Sequence, residues 1–154
     1  FIGINHYEAF NYSFFGGDKG VDKSKLRKNS LGWARDWRSL YWTMTFIYER
    51  YRLPIMITEN GVSLDDQPNE NGEVIDTERC RALEGFLKNL ARAIKDGIPV
   101  LGYQHWSLMD NFEWAEGYEP RFGLIYVDYK TGKRTLKKSA YVYKDIISTN
   151  GENI

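Results

Sequence analysis

An α/β architecture with parallel strands follows from three features of this sequence. Short β-favouring runs alternate with helix-patterned stretches in the order strand, helix, strand, helix, strand, helix. Each connection is long enough to carry a crossover helix, which parallel neighbours require. The chain of 154 residues holds three such strands, whereas a closed (β/α)8 TIM barrel takes eight strands and about 250 residues. The expected fold is therefore part of a single TIM-barrel domain, spanning residues 1–154 and incomplete on its own. Alone, it would leave two raw strand edges and half a core exposed.

The elements are justified in order. Residues 1–7, FIGINHY, read as a strand; Phe1 is not an initiator Met and opens inside an apolar run, so a longer parent chain is expected. Residues 8–29 form a long loop with Gly16, Gly17 and Gly20, where disorder is expected. It lacks the Gly-Lys-Ser/Thr ending of a phosphate-binding loop, so Lys19, Lys23, Lys25, Arg27 and Lys28 read as a solvated face. Residues 36–51 carry Leu40, Met44, Ile47 and Tyr48 at helical spacing, and residues 54–59 form the second strand. The Asp/Asn-rich stretch 65–72 is an exposed loop. Residues 76–96 give the clearest helix, with Cys80, Leu83, Phe86, Leu87, Leu90 and Ile94 recurring at three and four. Asp76 is placed to cap its start and Gly97 its end. Residues 98–106 form the third strand, 122–129 with Thr131-Gly132 a β-ribbon and turn, and 139–148 a closing helix.

Composition excludes several function classes. Twenty-one basic and 21 acidic residues give zero net charge, so no broad field draws nucleic acid or an anionic membrane. No apolar run approaches the roughly 18 residues of a membrane span, and no secretory leader opens the chain. Cys80 is the single cysteine, which rules out an internal disulfide and points to a reducing, cytoplasmic setting. His6 and His105 fall on the opposite strand parity from the polar strand ends, so they read as structural. With no cysteine pair, helical histidine pair or Gly-x-Ser-x-Gly elbow, no metal, cofactor or serine nucleophile is expected.

Barrel active sites lie at the C-terminal ends of strands. Strand alternation groups Gly3, Asn5 and Tyr7; Ile55, Ile57 and Glu59; and Gly102, Gln104 and Trp106. If each set faces inward, Asn5, Tyr7, Glu59 and Trp106 meet at one mouth. Carboxylates beside flat rings suit a sugar, whose C–H faces stack on aromatics while its hydroxyls meet acids and amides. A lone Glu at a strand end is ordinarily a solvated charge, and a Tyr there ordinarily packs.

Three motifs sharpen this: GINHY at residues 3–7, ITENG at 57–61 and YQHWSLMDNFEW at 103–114. Together they resemble the last third of a family 1 retaining β-glycosidase, over nearly the whole chain and corresponding to strands six to eight. The resemblance implies Glu59 as nucleophile and Tyr7 as the hydroxyl that holds its charge. It implies substrate contacts from Glu113, Trp106, Trp114, Phe122 and Asn5. It places Trp33 at the aglycone entrance, where a packing role fits equally. Relatives acting on 6-phosphorylated sugars generally lack the Glu-Trp pair, so an unphosphorylated glycoside is implied. The substrate expected is a β-glucoside or oligosaccharide, with β-galactosides and β-fucosides as further candidates. The family's acid/base Glu lies in an Asn-Glu-Pro stretch that this sequence does not contain. A complementary N-terminal chain is therefore the expected partner. A thioglucosidase, a transglycosidase and a catalytically inert carbohydrate-binding scaffold stay open as alternatives.

Overall fold

The computed structural model describes residues 1–10 and 27–154. Most of the expected 8–29 loop, with Gly16, Gly17, Gly20, Lys19, Lys23 and Lys25, lies outside the described residues. The elements are β1 (Ile2–His6), α1 (Arg38–Tyr51), β2 (Ile55–Asn60), α2 (Thr77–Lys95), β3 (Val100–His105), β4 (Ile125–Val127), β5 (Arg134–Leu136) and α3 (Lys138–Ser148). The first three strands form a parallel sheet in the order β1-β2-β3, and β4 and β5 form a separate antiparallel ribbon. This is the α/β section of a barrel that the alternation predicts, with β1 and β3 as its edges.

One face of the sheet is sealed. Ile4 from β1 and Ile55 and Ile57 from β2 pack on Leu40, Tyr41 and Met44 of α1 and on Ala82, Phe86 and Ala93 of α2. Fully burying an aliphatic side chain of this size contributes about 1.5–3 kcal/mol, so this layer supplies much of what fixes the helices on the strands. The periodicity of α2 holds through Leu90, which packs against the core, but Ile94 is exposed and Ala93 takes the inward position. At 3.6 residues per turn a face drifts slowly around the helix, and Ala93 also fits closer to the sheet. The chain leaves α2 by the turn that Gly97 permits: at φ 89°, it donates to the Ile94 carbonyl while Ile98 reaches back to Ala93. Among the described residues, no helix is long and apolar enough to cross a membrane.

Two expectations need correction. Asp76 occupies the N-cap position of α2 without capping it through its side chain. Its carboxylate instead pairs with Arg79 and accepts the Ser139 backbone N–H at 2.8 Å, thereby capping α3. Within the loop expected to be exposed, Asp66 is buried and ion-paired.

Candidate active site

Parallel pairing brings the C-terminal ends of β1, β2 and β3 to one side of the sheet, and the polar residues cluster there. The strand-parity expectation for β2 does not hold as drawn. Ile55 and Ile57 face the helices, yet Glu59 does not. The register shifts between Ile4 and Asn5 on β1, so that Ile4 pairs with Ile57 but Asn5 pairs with Glu59. One residue of β2 is skipped, and Glu59 turns onto the face of Asn5 while Asn60 turns inward beneath His6. An extra residue in one strand re-aims the side chains that follow it.

Glu59 Oε2 accepts the Tyr7 hydroxyl at 2.6 Å. Burial first, and then the Glu59 carboxylate, push the Tyr7 phenol far above its usual range, so it stays a donor. The Tyr7 ring lies 5.7 Å from Phe122 and 6.0 Å from Trp33, and those two rings are 6.3 Å apart, forming one aromatic wall. Phe122 is fully enclosed, while Trp33 is half-buried. Asn5 accepts the Thr58 hydroxyl at 2.6 Å on the open face of the sheet.

The second carboxylate comes from the segment after β3. Trp106 donates its indole N–H to Glu113 at 3.2 Å. Partial burial raises the Glu113 carboxyl, the Trp106 bond opposes this, and the nearby charge of Glu59 adds to it. Trp114 is 81% exposed and at φ 51° adopts a left-handed backbone, outward from Glu113. The structure thus gathers Tyr7, Glu59, Trp33 and Phe122 by direct contact and joins Trp106 to Glu113. It leaves Asn5 and Trp114 on open surface.

His6 and His105 lie on the helix side. His6 bonds Ser39 at 2.7 Å and meets the Phe86 ring edge-on, and burial lowers its pKa to about 4. His105 donates toward the Phe122 carbonyl at 3.3 Å. Burial and then the Arg79 charge lower it to about 3. Cys80 is buried in α2, and burial pushes its thiol up to about 11.

Sequence reasoning missed the residues that hold these loops. Gly61, last in the ITENG motif, abuts the Trp106 carbonyl so closely that a Cβ would collide with it. Asn60 is fully buried, donating to the His6 carbonyl and accepting the Tyr103 hydroxyl, which ties all three strand ends together. The motif itself was the available signal: its Asn and Gly, directly after Glu59, carry this packing.

Comparison with known proteins places the chain in a family. The chain is 40% identical to the 1,4-beta-D-glucan glucohydrolase of Thermotoga neapolitana, over 98% of this chain and 35% of that protein. It is 46% identical to a beta-glucosidase of Agrobacterium sp., over 79% of this chain and 26% of the relative. Among solved structures, the family 1 b-glucosidase from Thermotoga maritima in complex with isofagomine lactam superposes with a TM-score of 0.89 at 40% identity. That match covers 97% of this chain and 34% of that one. The chain therefore spans about a third of the length of the relatives it matches. Residues 4–152 match the family model for glycosyl hydrolase family 1, and the chain belongs to that family.

Proposed function

We propose that residues 1–154 form strands six to eight of a retaining β-glucosidase barrel and carry its nucleophile, Glu59. The observation that carries this reading is the Tyr7–Glu59 hydrogen bond of 2.6 Å, made at the strand ends where barrel chemistry takes place. A carboxylate with one oxygen fixed by a neutral hydrogen-bond donor and the other left free is what attack at an anomeric carbon requires. With Oε2 engaged by Tyr7, Oε1 is the attacking oxygen.

In the first step the Glu59 oxygen bonds to the anomeric carbon as the bond to the aglycone oxygen breaks. A second carboxylic acid, about 5 Å from Glu59 in retaining enzymes, protonates that leaving oxygen. In the second step it takes a proton from water, which attacks the same carbon and releases Glu59. That acid comes from the N-terminal part of the barrel, as in the expectation drawn from the sequence. Glu113 accepts hydroxyls of the sugar, with Trp106 and Trp114 against its rim. Phe122, Asn5 and Trp33 complete the wall, the amide side and the aglycone side. Without the proton donor, whose general acid help is worth about 10²- to 10⁴-fold, and without the rest of the barrel, the chain alone is inactive on unactivated glycosides.

The test is peptide mass analysis after exposure of the complete barrel to an activated 2-deoxy-2-fluoro-β-glucoside. A single label on the peptide containing Glu59 is expected, because the good leaving group needs little acid assistance. A label elsewhere, or none in a barrel shown to contain both parts, would overturn the assignment.

A further inference from the structure

Behind the site, six charged side chains are buried together: Asp66, Asp76, Arg79, Asp110, Arg121 and Lys137. Three cations meet three carboxylates, so the cluster is balanced. Lys137 Nζ bridges Asp66 at 2.6 Å and Asp110 at 2.7 Å. Arg79 pairs with Asp66 and Asp76 at 2.6 Å each, and Arg121 with Asp110 at 2.7 Å. The residues come from separate segments: the β2–α2 loop, the first turn of α2, the stretch between β3 and β4, and the junction of β5 with α3.

Apolar residues of equal volume often stabilise a core as well as a buried ion cluster does. What directional, charge-assisted bonds add is a restricted geometry, and here the groups restricted belong to the site. Arg79 Nη2 donates to the Val62 carbonyl at 3.4 Å and to the Arg121 carbonyl at 2.6 Å. Val62 lies three residues after Glu59, and Arg121 immediately precedes Phe122. Asp110 stands three residues before Glu113, and its carboxylate also accepts the Gly123 N–H at 3.0 Å. Gly123 leaves no room for a Cβ against Met109 and Asp110, so this approach is close and specific.

We infer that the Asp66–Lys137–Asp110 bridge is a positioning device that sets where Glu113 stands relative to Glu59. It thereby fixes discrimination between sugars differing at the hydroxyl that Glu113 reads. Its kinetic consequence rests on the glycosidase reading above. None of the three residues touches reacting atoms; they act through the loop that carries Glu113.

The experiment replaces Lys137 in the complete barrel. Lys137→Met keeps the stem and removes the charge, and pairing it with Asp110→Asn restores charge balance. Active sites are counted by Glu59 labelling, so that misfolded protein does not enter the kinetics. KM for an aryl β-glucoside is expected to rise at least about tenfold relative to any change in kcat. The glucoside-to-galactoside preference should narrow by a similar factor. The double variant should regain melting temperature without regaining preference, and it carries the same readouts if Lys137→Met does not fold. An unchanged KM and preference per active site, with only a lower melting temperature, would overturn the proposal. A crystal structure of whichever variant folds gives a second decision: a displaced Glu113 carboxylate supports it, and an unmoved one refutes it. Absence of turnover and of Glu59 label in the unmodified barrel would instead refute the glycosidase reading, while the crystal structure still decides the bridge.

Discussion

The cluster around Lys137 and the one around Glu59 draw on the same loops, yet one is sealed and the other open. In the sealed cluster each carboxylate meets at least one cation, and backbone N–H groups fill remaining positions. In the open one, Glu59 and Glu113 are held by neutral donors, Tyr7 and Trp106, and among the described residues neither has a cationic partner. Burial demands compensation, because an unpaired charge in low dielectric is costly. A mouth that keeps uncompensated negative charge is suited to a transition state that develops positive charge at the anomeric carbon. Charge is balanced where it is sealed in and left open to solvent at the strand ends.

The strongest way to break this contrast is Glu59→Gln in the complete barrel. Turnover of an aryl β-glucoside should fall by about 10⁴-fold or more, while melting temperature holds. Residual activity above about 1% would remove Glu59 from its role. Next comes the sealed side: by denaturant unfolding, Lys137→Met should destabilise by about 3–5 kcal/mol, because Asp66 and Asp110 lose their shared cation. A loss under about 1 kcal/mol would mean that the cluster is wet rather than sealed.

A smaller effect is expected at Tyr7. Tyr7→Phe keeps the ring against Phe122 and Trp33 but removes a bond to a charged acceptor, worth about 1.5–3 kcal/mol. A roughly 10- to 100-fold drop in kcat/KM should be measured, and an unchanged value would show that Glu59 needs no such donor. A last effect, negligible at neutral pH and growing as pH falls, concerns the two buried histidines on the helix side of the site. His6 has its pKa lowered from 6.5 to about 4, and His105 from 6.5 to about 3. Below about pH 6.5 the unfolded chain binds protons that the folded one refuses, so stability is lost as pH falls through this window. Each His contributes at most about 1.4 kcal/mol per pH unit. Replacing His6 by Asn should flatten the fall in melting temperature between pH 6.5 and pH 4. An unaltered slope would show that His6 takes up its proton in the folded state.

The sequence by itself determined the elements and their order. Cys80, Leu83, Phe86 and Leu87 announced α2 because a helix face repeats every three or four residues. Short apolar runs announced the strands, and crossover length announced parallel pairing. ITENG and NFEW pointed to Glu59 and Glu113 by resemblance rather than by periodicity. Tertiary structure decided the rest. Simple alternation put Glu59 on the face of Ile55 and Ile57; a register shift set by the neighbouring strand put it on the face of Asn5. Asp66 reads as a loop charge, because the Lys137 that buries it lies 71 residues away. Asp76 reads as a cap for the helix it begins, but caps another. Local patterns encode which face of an element is apolar, since that preference acts residue by residue. Strand register and charge pairing depend on segments that meet only after the chain has folded.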